Sequence, residues 1–183
     1  MVGIREALGL LLLMMASLVY GQADPPSPVS TPSGQTLKQQ EQKVLEGWLS
    51  RHTEYRIAKD EDCECAEDIK QMRAGSGGVW KAVPDYHPYL ATGDFNGDGI
   101  EDFAVAVVER SKKQSNFALL VFNGPFESAT VSPAFMKTGL DLMYRGLFYG
   151  PPRPKPYRLV VGRFESDTES VLVPQGRVYR LED

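Results

Sequence analysis

Gly93-Asp94-Phe95-Asn96-Gly97-Asp98-Gly99-Ile100-Glu101-Asp102-Phe103-Ala104-Val105-Ala106-Val107-Val108 joins a loop of alternating polar ligand-type residues to an unbroken apolar run. Phe103 to Val108 is apolar at every position, which predicts a central strand covered on both faces. In the loop, Asp94, Asn96, Asp98 and Asp102 recur at alternating positions, and Gly97 and Gly99 supply backbone freedom between them. Carboxylates this close in sequence repel one another unless a cation lies among them. Calcium is the expected occupant, because it accepts six to eight hard oxygen ligands in a tolerant geometry. In an acidic calcium loop, positions 1, 3 and 5 give side-chain ligands and position 7 a backbone carbonyl. Here those are Asp94, Asn96, Asp98 and the carbonyl of Ile100, with Asp102 at position 9 closing the shell directly or through water. A metal-free polar turn and another hard cation are the alternatives.

The loop is not an EF-hand. Position 12, which there carries a bidentate Glu, is Val105. The flanks, Tyr89-Leu90-Ala91-Thr92 and Phe103 to Val108, read as strands and not helices. The stretch from Gly93 to Val105 resembles the FG-GAP repeat of integrin α-chains and the related VCBS-type repeats. That resemblance implies calcium held between two strands, with Asp94, Asn96, Asp98, Ile100 and Asp102 in the ligand positions. It is a resemblance to one such repeat within a small secreted protein of bacterial type. Propellers of that family need roughly four to eight blades, and the chain holds no second copy of the motif. The integrin-like function is therefore not carried over; the ion site is.

Ala7 to Tyr20 is apolar apart from Ser17 and Gly9, with Arg5 the one basic side chain ahead of it. This segment falls short of the ~20 residues of a membrane span and predicts a signal peptide at 1–21, cleaved before Gln22. An uncleaved anchor is the alternative. No cysteine follows the cleavage point, which argues against a lipid anchor. Residues 22–35 hold Pro25, Pro26, Pro28 and Pro32 among serines and threonines, and are expected to be a disordered linker. Residues 36–183 then suffice for a single globular domain.

A net charge of −4 argues against nucleic-acid binding. Asp60 to Asp68 is acidic, whereas Lys137, Arg145, Arg153, Lys155, Arg158 and Arg163 form a basic stretch. This stretch is expected to be a solvated surface, with an anionic partner or the acidic segment of the same domain as alternatives. Cys63 and Cys65 are the only cysteines. An oxidising compartment favours disulfides, so a local disulfide is expected, with free thiols or an intermolecular bond next; a metal pair comes last, since no further Cys exists and only His52 and His87 could assist.

Thr36 is the expected N-cap of a first helix, with Gln39 reaching back to it. Leu37, Val44, Leu45, Trp48 and Leu49 give that helix one apolar stripe. A second helix is expected from Cys65 to Arg73, stopped at Gly75. Strands are expected at Trp80 to Val83, Phe103 to Val108, Phe117 to Phe122, Tyr157 to Phe164, Ser170 to Val173 and Arg177 to Leu181. Leu140, Met143, Tyr144 and Leu147 are spaced like a short helix. The expected fold is α+β: two N-terminal helices packed on a mostly antiparallel sheet, with one calcium-loop β-hairpin, and not a propeller.

No nucleophile-elbow, zincin or phosphate-loop pattern is present. Asp85-Tyr86-His87 is the best acid/base candidate, although a single His before Pro88 is more simply structural. The chain is therefore expected to be a secreted or periplasmic, non-catalytic calcium-binding domain whose ion stabilises a hairpin and an interaction surface. Its partner would be a protein or an anionic cell-surface component, with no membrane span after signal cleavage. The alternatives are a hydrolase or lyase using His87, and an interaction or inhibitor protein with a basic contact surface.

Overall fold

The computed structural model describes residues 36–79, 81–164 and 166–183. The expected signal peptide and linker lie outside them. Helix α1 spans Gln39–Arg51. Its N-cap is Lys38 and not Thr36, and the residue reaching back is Glu41, whose carboxylate accepts the Lys38 N–H at 2.7 Å. The register that buries Val44, Leu45 and Trp48 also turns Glu41 inward, leaving it 2% exposed. That inward turn, together with its bond to the helix entry, explains why Glu41 displaces Gln39 as the residue that reaches back to the cap. Burial raises the Glu41 pKa above its ordinary value.

Strand β1 (Tyr55–Ile57) follows, then a single 3₁₀ turn at Asp60–Asp62 and helix α2 at Ala66–Ala74. Cys63 and Cys65 are joined in a disulfide between the turn and α2, their Cα atoms 5.1 Å apart. Gly75 ends α2 in the left-handed conformation at φ +67°, as the helix stop requires. Residues 81–83 carry no strand, contrary to expectation, and Trp80 lies outside the described residues.

The remaining elements are β2 (Leu90–Gly93), β3 (Asp102–Glu109), β4 (Phe117–Phe122), β5 (Phe135–Leu140), β6 (Arg145–Phe148), β7 (Leu159–Arg163), β8 (Glu169–Gln175) and β9 (Val178–Glu182). They form two antiparallel sheets where one was expected. The first has the order β1-β3-β4-β5, with β2 also paired to β3; the second runs β6-β7-β8-β9. Residues 135–147 form no helix. Phe135 and Met136 pair with Val121 and Leu120 instead, and Gly139 sits at φ +73°, which a right-handed helix excludes. The chain turns at Met143 and Tyr144 and enters the second sheet.

The apolar run of β3 divides by parity. Phe103, Val105 and Val107 join Val44, Leu45 and Trp48 of α1 in one core cluster, with Ala118, Leu120 and Phe122 of β4. Ala104, Ala106 and Val108 face the other cluster, with Ile69 of α2 and with Leu147, Leu159, Val161 and Leu172 of the second sheet. The first sheet is thus the middle layer, which is why its central strands read as continuous hydrophobic runs. Each large side chain buried there contributes about 1.5–3 kcal/mol. The result is α+β, and among the described residues no sheet closes into a barrel or propeller. Among the same residues no helix is long and apolar enough to cross a membrane.

Candidate metal centre

The loop from Asp94 to Glu101 links β2 to β3, whose last paired residues are Gly93 and Asp102. Gly97 and Gly99 lie at φ +80° and +84°, the left-handed region that lets so short a turn fold back. The Asp94 carboxylate organises the turn: Oδ1 accepts the N–H groups of Gly97 (2.7 Å) and Asp98 (3.0 Å), and Oδ2 that of Gly99 (2.9 Å). Asn96 Oδ1 accepts the Asp98 N–H at 2.8 Å, and its Nδ2 donates to Asp98 Oδ2 at 2.9 Å. Asp98 Oδ1 in turn accepts the Ile100 N–H at 2.8 Å. Asp94, Asn96 and Asp98 are therefore brought together on one turn, with Asp98 exposed to solvent. The Ile100 side chain points outward and is 40% exposed.

Asp102 is placed differently. It is 0% exposed, and its carboxylate accepts the Phe95 N–H at 2.9 Å and the Gly124 N–H at 3.1 Å. The Tyr179 hydroxyl lies 3.4 Å from Oδ2 and donates to Asn123 Oδ1 at 2.7 Å. Burial pushes the Asp102 pKa up to about 6, opposed by the backbone N–H groups of Phe95 and Gly124 and assisted by the charge of Asp98. Asp102 thus ties the loop to the interior as well as standing at ligand position 9.

Among the described residues no group of three or more His, Cys, Asp or Glu side chains is gathered into a metal cage. The donor chemistry nonetheless fits a hard divalent cation. Asp94, Asn96 and Asp98 offer only oxygen, with no imidazole or thiolate to favour a transition metal. Those residues, with the carbonyl of Ile100 and with Asp102, would hold the ion.

Two tyrosines that no local sequence signal indicates complete the surroundings. Tyr149 donates its hydroxyl to the backbone carbonyl of Asp94 at 2.7 Å and packs edge-on against Phe95, ring centroids 5.0 Å apart. It fills the space beside Gly93, where an added Cβ would lie 2.2 Å from the Tyr149 ring. Tyr149 and Tyr179 stand 55 and 77 residues from the atoms they touch, beyond the reach of any motif.

Comparison with protein-family models, with curated proteins and with solved structures gives no match. The reading of the loop accordingly rests on its own residues.

His87 lies elsewhere. Its Nδ1 is 3.0 Å from Asp60 Oδ1, and Asp60 also pairs with Arg73, which donates to the Tyr86 carbonyl. Burial pushes the Asp60 pKa up, but the hydrogen bonds from His87 and Arg73 outweigh it and the net shift is downward. A cleft of about 370 Å³ opens beside them, lined by Leu37, Leu45, Leu90 and Val105 as well as Asp60 and His87.

In the acidic segment, Asp62 pairs with Arg56 and Asp60 with Arg73, both outside the basic stretch. Within that stretch Arg153 pairs with Glu169, Arg163 lies over the Tyr144 ring, and Lys155 over the Tyr157 ring.

Proposed function

We propose that this chain is a secreted or periplasmic, non-catalytic calcium-binding domain in which the Asp94–Asp102 loop holds the ion and steadies the β2–β3 hairpin. The observation that carries this reading is the Asp94 carboxylate, which accepts three backbone N–H groups and fixes the turn that presents Asn96 and Asp98 together. The remaining lone pairs on these oxygens suit a hard cation. Neutralising the adjacent charges of Asp94 and Asp98 gives the ion its stabilising effect. At a calcium concentration of 100 times Kd, mass action adds roughly 2.7 kcal/mol to folding stability. The test is thermal unfolding of wild type and Asp98→Ala in calcium and in chelator. Wild type is expected to melt higher in calcium, and the variant to show the same curve in both. Superimposable wild-type curves, with no heat in a calcium titration, would remove the basis for this reading.

A second reading, a hydrolase or lyase acting through His87, is favoured by the Asp60–His87 contact, both residues lining the cleft. A substrate screen comparing wild type with His87→Ala separates the two, since the binding-domain reading expects no turnover from either.

A further inference from the structure

We infer that the ion loop is also the clasp between the two sheets, with Tyr149 and Tyr179 as positioning residues that couple cation binding to docking of the second sheet. This inference rests on the calcium reading above. The loop belongs to the first sheet, between β2 and β3. Tyr149 directly follows β6 and Tyr179 lies in β9, the two outer strands of the second sheet. Both place hydroxyls on loop residues or on their immediate supports. Tyr149 donates to the carbonyl of Asp94, the first ligand position, at 2.7 Å. Tyr179 donates to Asn123 at 2.7 Å and approaches Asp102, the last ligand position, to 3.4 Å. Asn123 reciprocates by donating from Nδ2 to the Arg177 carbonyl at 3.2 Å, beside Tyr179 on the same hairpin. The two ends of the ligand set are thus each fastened to a different edge of the second sheet.

The consequence is thermodynamic. Sites that share bonded atoms bias each other, and the coupling is reciprocal: whatever docking does for the ion, the ion does for docking. Ordering the loop around a cation fixes the Asp94 carbonyl and the Asp102 carboxylate, and so lowers the cost of holding both tyrosines. Removing either hydroxyl while keeping its ring leaves the packing with Phe95 and the core intact, yet loosens a ligand.

The test uses the full mature chain, calcium as the probe, titration calorimetry, and hydrogen exchange read by mass spectrometry. Tyr149→Phe and Tyr179→Phe are each expected to weaken calcium binding about fivefold, the loss of one net hydrogen bond. Tyr144→Phe, whose hydroxyl meets Glu64 and not the loop, is the control and keeps the wild-type affinity. In wild type, calcium is expected to slow exchange in β6 and β9 as well as in the loop. If wild type binds calcium while both variants bind equally well and exchange changes only in the loop, the clasp is wrong and the ion site stands. If wild type takes up no calcium, the ion site and the clasp fall together.

Discussion

The guanidinium of Arg56 grips Asp62 at two points, Nη1 to Oδ2 and Nη2 to Oδ1, each 2.6 Å long. It fastens β1 to the 3₁₀ turn and pairs one carboxylate of the acidic segment. The hydrogen bond from Arg56, opposed by burial and aided by the Lys59 N–H, holds the Asp62 carboxyl below its ordinary pKa. A carboxyl lowered in the folded state contributes stability above its unfolded pKa of ~3.9 and loses it as pH falls through the folded value. Arg56→Ala is therefore expected to cost about 1 kcal/mol at pH 7, the pair being partly solvent-exposed. The gap between variant and wild type should narrow at pH 3 in urea unfolding curves. An equal gap at both pH values would show that Arg56 acts through packing alone.

Asp102→Asn tests the interior end of the ion loop. An amide keeps one acceptor for the N–H groups of Phe95 and Gly124 but turns its NH₂ towards the other donor. Measured in chelator by denaturant unfolding, the variant is expected to lose roughly 1–3 kcal/mol. Asp98→Asn, on the exposed face of the same turn, should stay within about 0.5 kcal/mol under those conditions. Similar losses for both would mean that the loop is anchored from its outer side.

These two neighbourhoods show what the chain discloses on its own. The apolar run of β3 announces a strand buried on both faces because it sits between α1 and the second sheet, and the structure places it there. Spacing failed where long-range pairing won: Leu140, Met143, Tyr144 and Leu147 mimic a helix, yet β4 offers its edge to Phe135 and Met136. Helix α1 is capped at Lys38 and not Thr36 because the residue that turns inward to bond the cap is Glu41, a type that composition assigns to the surface. In the candidate site, Asp94, Asn96 and Asp98 are legible as a local pattern. Asn123, Tyr149 and Tyr179 are not, since the fold alone brings them to the loop.

The Cys63–Cys65 disulfide closes a ring spanning three residues, so it removes little freedom from the unfolded chain. The chain-entropy relation gives roughly 1.6 kcal/mol for so small a loop. Urea unfolding with and without reductant is expected to differ by no more than about 2 kcal/mol. A loss of several kcal/mol on reduction would require that the bridge holds α2 against the core by contacts that the free thiols cannot make.

Tyr86 and Gly146 supply a sharper test of the packing between the sheets. The Tyr86 hydroxyl is buried and has no hydrogen-bond partner among the described residues. It lies where a side chain on Gly146 would go: an added Cβ would stand 2.2 Å from that oxygen and 2.9 Å from the Phe164 ring. An unsatisfied buried hydroxyl costs about 1–3 kcal/mol, so Tyr86→Phe is expected to raise the denaturation midpoint. Gly146→Ala alone should overpack the site and cost about 1–3 kcal/mol. With the hydroxyl gone, the methyl group meets its nearest obstacle no longer, and only the rings of Phe164 and Phe148, 2.9 and 3.1 Å away, have to yield. The double variant is therefore expected to be more stable than the sum of the single changes by about 1 kcal/mol or more, as contacting sites allow. Strict additivity would mean that Gly146 is required for backbone reasons and that the hydroxyl does not govern the space beside it.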